Sequence, residues 1–239
     1  MLAAGIFSFW IREPDVARRV RPGQFLNVKV SAGPDPLLRR PISVADVEQN
    51  RLRLVFQVKG RGTAVLATAN PGSDLDVLGP LGKPAPSFRG RDIFLVGGGV
   101  GAAPLLFLCR QSVSSNRVRV FLGARTRRQL ILVREFRALD VPIRVATDDG
   151  SLGYTGPVTE LAELSIKKVS QPVVFACGPR PMLADLVRRV DPVPVWGFVE
   201  ERMGCGTGIC YCCALPKKGG GFMRFCAQGP VVPLNEVEL

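Results

Sequence analysis

The chain reads as a mixed β and α/β protein: an N-terminal antiparallel β-barrel, a parallel doubly wound α/β domain and a small cysteine-rich C-terminal module. Three observations carry this. Up to residue 89, short strand-like runs are separated by turn dipeptides. From 90 to 192, apolar runs of strand length alternate with helical patterns. From 193 to 239, four cysteines fall at a motif-like spacing.

In the first segment, residues 26–30, 42–45, 51–58 and 75–78 are predicted strands, and 63–69 a short helix. Arg51-Leu52-Arg53-Leu54-Val55-Phe56 alternates polar and apolar, as a half-buried strand does. Pro-Gly at 22–23 and 71–72 and Gly-Pro at 79–80 mark turns. Such spacing predicts a small antiparallel barrel. In the second segment, strands are predicted at 92–96, 117–122, 143–146 and 172–176. Helices are predicted at 102–111, 130–139, 158–164 and 181–190. In the third, Lys217-Lys218-Gly219-Gly220-Gly221 reads as a hairpin tip.

Bulk composition narrows the function. With 46% hydrophobic and 22% charged residues the chain has a soluble globular composition. No run approaches the 18 or so apolar residues of a membrane span. The net charge of +12 fits anionic cofactors or an acidic partner surface, and no nucleic-acid motif accompanies it. The absence of histidine removes Ser-His-Asp and Cys-His catalysis. A cofactor is therefore expected to carry the chemistry. The start is broken by Arg12, Glu13 and Pro14, unlike a secretory leader, and seven cysteines are an odd count for a disulfide framework. A cytoplasmic setting is expected.

Cys205, Cys210, Cys213 and Cys226 give C-x4-C-x2-C, then twelve residues and a last Cys. This is the plant-type pattern for a [2Fe–2S] cluster. Gly204, Gly206 and Gly208 let the backbone wrap closely and aim N–H groups at the sulfurs. An all-cysteine zinc site is the competing reading, though zinc sites usually show paired short spacings or histidine. Cys212 adjoins Cys213; the spacing favours Cys213 and leaves Cys212 as the alternative ligand. Cys109 sits in an apolar segment and reads as a small buried hydrophobe.

Two further patterns suit anions. Gly97, Gly98, Gly99, Val100 and Gly101 lie between a predicted strand and helix, where backbone N–H groups cradle phosphate. A tight packing turn is the bland alternative. Ala176-Cys177-Gly178-Pro179 follows another buried strand and is expected beside the first turn, at the C-terminal edge of the sheet. In the first segment, Arg39-Arg40-Pro41-Ile42-Ser43 and Lys59-Gly60-Arg61-Gly62-Thr63 read either as anion sites or as charged turns.

Taken in order, these residues resemble the ferredoxin–NADP reductase superfamily. The closest resemblance within it is to electron-transfer subunits of NAD-dependent dihydroorotate dehydrogenase. The signature is Glu200-Glu201-Arg202-Met203-Gly204-Cys205-Gly206 with the later cysteines, then Cys226-Ala227-Gln228-Gly229-Pro230-Val231. The resemblance covers essentially the whole chain. It implies a flavin-binding barrel (1–89), an NAD-binding α/β domain (90–192) and a [2Fe–2S] module (193–239). FAD would be held by Arg40, Pro41, Ile42 and Ser43, by Val55, Phe56 and Gln57, and by Gly62 and Thr63. NAD would be admitted by Gly97, Gly98, Gly99 and Gly101 and by Cys177, Gly178 and Pro179. The expected partner is an FMN-containing dihydroorotate dehydrogenase catalytic subunit, in a heterotetramer serving pyrimidine biosynthesis. Two departures stand out. The N-terminus is short for the family, with a first strand expected near Phe7, and Gln228 stands where an acidic residue is common. The alternative is a ferredoxin- or hydrogenase-linked reductase subunit using NAD(P)H, which the tract Arg125-Thr126-Arg127-Arg128 favours as a 2′-phosphate site. A redox sensor on the same scaffold is the non-enzymatic option, against which the Arg40–Ser43 motif argues.

Overall fold

The computed structural model describes residues 1–31 and 33–239. The first lobe comprises β1 (Ile6–Arg12), α1 (Pro14–Arg19), β2 (Phe25–Val28), β3 (Arg40–Glu48), β4 (Arg51–Gln57), α2 (Arg61–Leu66) and β5 (Val77–Leu81). Its antiparallel ladder runs β1-β4-β3-β2-β5, with β1 and β5 at the two ends, so hydrogen bonding leaves the barrel part-open. The sheet wraps its own core of Leu26, Val28, Ile42, Val44, Leu52, Leu54 and Phe56. The first strand begins at Ile6, and Phe7 pairs in register with Phe56.

The alternation read in β4 holds for Leu52, Leu54 and Phe56, yet Arg53 and Val55 are buried too. Their face is covered by the second lobe, where Arg53 Nη2 donates to Glu135 at 2.9 Å, while its Nε donates to Ser8 of the neighbouring β1 at 2.9 Å.

The second lobe continues with β6 (Asp92–Gly98), α3 (Ala102–Ser112), β7 (Arg117–Ala124), α4 (Val133–Arg137), β8 (Ile143–Thr147), β9 (Tyr154–Thr155), α5 (Val158–Ile166), β10 (Val173–Cys177) and α6 (Arg180–Val190). Past it come β11 (Val195–Phe198), the hairpin β12 (Ala214–Pro216) and β13 (Phe222–Arg224), α7 (Phe225–Gln228) and β14 (Val231–Pro233). One seven-stranded sheet, ordered β14-β11-β10-β6-β7-β8-β9, takes in β11 and β14. All its pairs are parallel except β11 with β14. Residues 199–230 therefore leave the sheet at one strand and return at its antiparallel neighbour. The predicted tip at 217–221 joins β12 to β13.

Helix α3 is buried on nearly every side, because it packs on the sheet and also against β3. At that contact Arg110 donates twice to the Asp46 carboxylate, both at 2.7 Å, and Asp46 is 1% exposed. With Arg53–Glu135, this makes two ion pairs joining the lobes. The described residues contain no helix long and apolar enough to cross a membrane.

Candidate functional site

Two clefts open where the lobes meet. The first has a cavity volume of about 210 Å³ and is lined by Arg40, Pro41, Ile42, Ser43, Val55, Phe56, Gln57 and Thr63 from the barrel. Gly101, Cys177 and Phe198 close it from the second lobe, and Val199, Glu200, Glu201, Met203 and Pro230 from the cysteine-rich excursion. Strand β3 brings the Arg40–Ser43 run to this wall because Pro41 and Ile42 pair with Asn27 and Leu26 of β2. Gly62 lies outside the lining but decides where Arg40 sits. A Cβ on Gly62 would run into the Arg40 guanidinium, which lies against the start of α2. Thr63 Oγ1 is spent on its own turn, accepting from Lys59 N at 3.0 Å and Gly60 N at 3.2 Å. That leaves the first-turn amides of α2, which have no intrahelical partner, beside a guanidinium. This donor set fits a pyrophosphate. Gly62→Ala is expected to displace the guanidinium without unfolding the chain. It should weaken FAD binding by about tenfold, the size of one charge-assisted hydrogen bond, as read by fluorescence titration of flavin-free protein.

The second cleft, of about 620 Å³, lies on the other side of the same seam. Gly98, Gly99 and Gly101 line it beside Gly178 and Pro179. The two small-residue turns are neighbours because Cys177 pairs with Gly97 across β10 and β6. They touch so closely that a Cβ on Gly101 would overlap the Cys177 carbonyl, while one on Gly98 would stand 2.5 Å from Met182 Sδ. Gly99, at φ +55°, has open space where a side chain would be, so its backbone faces the cleft bare. A bare backbone turn before a helix fits a dinucleotide pyrophosphate. Gly97 lines neither cleft; it is wedged against Ala102 and Leu105 and serves strand–helix packing. Cys177 lines the first cleft, is buried, and has its thiol pushed well up by burial and then by the Glu200 charge, so it is no nucleophile. Cys109 is likewise buried, its thiol pushed up to about 12 by burial. At the far end of the second cleft stand Arg125 and Asp148, whereas Arg127 and Arg128 are outside the lining.

Gln57, Lys59, Val100, Gly101 and Glu200 line both clefts. Lys59 Nζ and Glu200 Oε2 are 3.2 Å apart, so an ion pair bridges the barrel and the excursion at this seam. Sequence reasoning placed Lys59 only in an anion turn and Glu200 only in a signature; nothing local ties residues 141 positions apart.

The four cysteines fall into two pairs. Cys213 Sγ and Cys226 Sγ are 3.3 Å apart and buried. Cys205 N approaches Cys210 Sγ at 3.4 Å, and Cys210 N approaches Cys205 Sγ at 3.5 Å. Among the described residues no three His, Cys, Asp or Glu converge on one ion position. Two thiol pairs suit a two-iron rhomb, each iron taking one pair, better than one tetrahedral zinc. Cys212 points outward and is exposed. Gly206 and Gly208, at φ +75° and +89°, supply the left-handed turns of the loop. Thr207, followed by Cys210, hydrogen-bonds the Cys205 sulfur and holds its pKa down at about 5. Burial, then the Cys213 thiol, pushes Cys226 up to about 12. In cluster-free protein, thiolate at Cys205 forms as pH rises through about 5. Of the four, Cys205 is then expected to alkylate first at neutral pH and Cys226 last, as peptide mass spectrometry would read.

The iron–sulfur cluster binding domain of dihydroorotate dehydrogenase B matches residues 200–238. The electron transfer subunit of dihydroorotate dehydrogenase B (NAD(+)) from Bacillus caldolyticus is 41% identical over 227 residues, covering 92% of this chain and 87% of the relative. The subunit of that name from Desulforamulus reducens is 38% identical over 249 residues, covering 99% and 94%. Among solved structures, an NADH-dependent reduced ferredoxin–NADP oxidoreductase, described for flavin-based electron bifurcation, superposes with a TM-score of 0.90. It shares 33% identity and covers 100% of this chain and 87% of its own. With clefts and cysteines arranged on a reductase fold and such relatives along its length, the chain belongs to the family of dihydroorotate dehydrogenase B electron transfer subunits.

Proposed function

We propose that this chain carries electrons between an FMN-containing dihydroorotate dehydrogenase catalytic subunit and NAD⁺, through a [2Fe–2S] cluster and FAD. The observation that supports it most is the serial layout. The cysteine excursion contributes Met203 and Pro230 to the first cleft, and the first cleft shares Gly101 and Gln57 with the second. FAD supplies the conversion between single electrons and a hydride, and the cluster supplies single-electron exchange. The protein's part is placement. Arg40, Gly62 and Thr63 hold the flavin phosphates, Pro41, Ile42 and Ser43 its ring end, and Val55, Phe56 and Gln57 its edge. Gly98, Gly99, Gly101, Gly178 and Pro179 receive the nicotinamide dinucleotide, with Gly97 shaping their turn. Cys177 keeps the junction small and protonated. Cys205, Cys210, Cys213 and Cys226 are the cluster ligands. The division at 1–89, 90–192 and 193–239 describes these roles, although the last segment is built on the second sheet.

The partner meets the excursion. Ile209, Tyr211 and Phe222 are 78%, 60% and 70% exposed there, and Cys210 lies between the first two. Arg224 ties these loops together, its guanidinium 4.9 Å from the Tyr211 ring and its Nη1 donating to Gly208 O at 2.9 Å. Exposed apolar side chains grouped by a redox group favour a protein contact. Phe222→Asp is expected to weaken the subunit complex by about tenfold or more and leave NADH-driven dye reduction intact. Gel filtration and the two assays check this. We further propose a heterotetramer and a cytoplasmic setting, in keeping with seven cysteines that form no disulfide among the described residues.

The experiment is anaerobic: the holoprotein is mixed with the FMN-bearing catalytic subunit of the same cell, and NAD⁺ reduction is followed at the expense of dihydroorotate, with NADP⁺ alongside. Turnover that needs both chains and prefers NAD⁺ is the expected result. A second reading, exchange with ferredoxin, draws on the oxidoreductase that superposes at TM-score 0.90 and on Arg125 in the second cleft. Turnover with reduced ferredoxin, and none with the dihydroorotate subunit in protein whose spectrum shows flavin and cluster, would replace the first reading by the second.

A further inference from the structure

Asn27 is the polar exception in β2, whose other residues are Phe25, Leu26 and Val28, and it is 1% exposed. Its Nδ2 donates to the carbonyl of Cys205 at 3.2 Å. Its Oδ1 has no hydrogen-bond partner among the described residues. At Gly206, the residue after Cys205, a Cβ would stand 2.7 Å from Asn27 Nδ2, so the ligand loop lies directly on this amide. On the sheet side, Asn27 pairs in register with Pro41, and Leu26 with Ile42, within the run that lines the first cleft. The Asn27 carbonyl is itself held, accepting from Arg39 Nη1 at 3.3 Å.

A buried amide with its oxygen unpaired destabilises a fold, and an apolar side chain of similar size meets no such cost. Packing therefore does not explain an asparagine here; its donor end does. We infer that Asn27 is a positioning residue, tying the strand that walls the flavin cleft to the loop of the first cluster cysteine, and so fixing how the two redox sites face each other. The inference rests on Cys205 being a cluster ligand. Groups that orient metal ligands without touching the metal act in this way, and their loss typically costs 10–100-fold in affinity or activity.

Asn27→Leu in the holoprotein separates this from a structural role. It keeps the branched shape and the number of heavy atoms, removes the orphaned oxygen and deletes the bond to Cys205. The expected variant melts no lower than wild type and reduces dye from NADH at the wild-type rate. Its cluster is reduced by NADH about tenfold more slowly in stopped flow, and its visible circular dichroism is altered. Asn27→Ser, whose hydroxyl is too short to reach the carbonyl, is expected to do the same should the leucine variant fail to fold. A folded variant with wild-type dichroism and wild-type cluster reduction would overturn the bridge. Wild-type protein that takes up no cluster on anaerobic reconstitution, judged against Cys210→Ser, would overturn the ligand reading and the bridge with it.

Discussion

Cys210→Ser is expected to yield a protein that binds FAD, holds no intact cluster and exchanges no electrons with its partner. Cys210 is exposed, on the loop where its sulfur and amide interlock with those of Cys205. A serine hydroxyl is not ionised at neutral pH and is a poor ligand for iron beside three thiolates. Partner-dependent turnover should fall by about a hundredfold or more, the upper end of what perturbed metal shells show. NADH-driven dye reduction should persist, because none of the four cysteines lines either cleft. Iron and sulfide content, the visible spectrum and the two assays test this together. Loss of dye reduction with FAD still bound would mean that the cluster lobe and the clefts do not act separately.

Arg110→Ala is expected to be the most destabilising single change at the lobe interface. It strands the Asp46 carboxylate, which is 1% exposed and otherwise accepts only from Val47 N at 3.0 Å. Removing one member of such a pair costs about 3–5 kcal/mol, most of it the burial of an unpaired charge. For a marginally stable fold that is a large share of the total. Asp46→Ala should cost less, because Arg110 is 37% exposed on its side chain and retains water. The double variant Asp46→Leu with Arg110→Met should recover much of the loss, since apolar replacements of buried ion pairs are often neutral. Denaturant melts of wild type, the two alanine variants and their Asp46→Ala with Arg110→Ala combination give the coupling energy; an Arg110→Ala melt matching wild type would show that the pair contributes nothing.

Much of this architecture was legible because local signals agreed with global placement. The glycine turn at 97–101 sits between β6 and α3, and the Cys177 turn lies beside it, as the strand-end rule requires. What was not legible is what depends on the other lobe. Arg53 looked like the solvent face of an alternating strand, and its burial comes from Glu135, 82 positions away. Asn27 lies within a predicted strand and Asp46 just past one, and nothing local marks either; their partners Cys205 and Arg110 are reachable only in three dimensions. β11 and β14 were read into the cysteine module because each is short, of four and three residues, with prolines nearby. Their membership of the large sheet is a pairing fact that no run of four residues carries. The helix expected at 63–69 forms at Arg61–Leu66, starting two residues earlier, where Thr63 closes the turn on Gly60.

The excursion that bears the cysteines begins after β11 and ends before β14, and those two strands are hydrogen-bonded neighbours, with Gly197 opposite Val232. A lobe sewn to its host by both ends of one seam is not a carrier on a tether. It has no linker to swing on and no free search to make. Electron passage inside this subunit should accordingly be indifferent to solvent viscosity, and the diffusive step of the overall circuit lies with arrival and departure of nicotinamide.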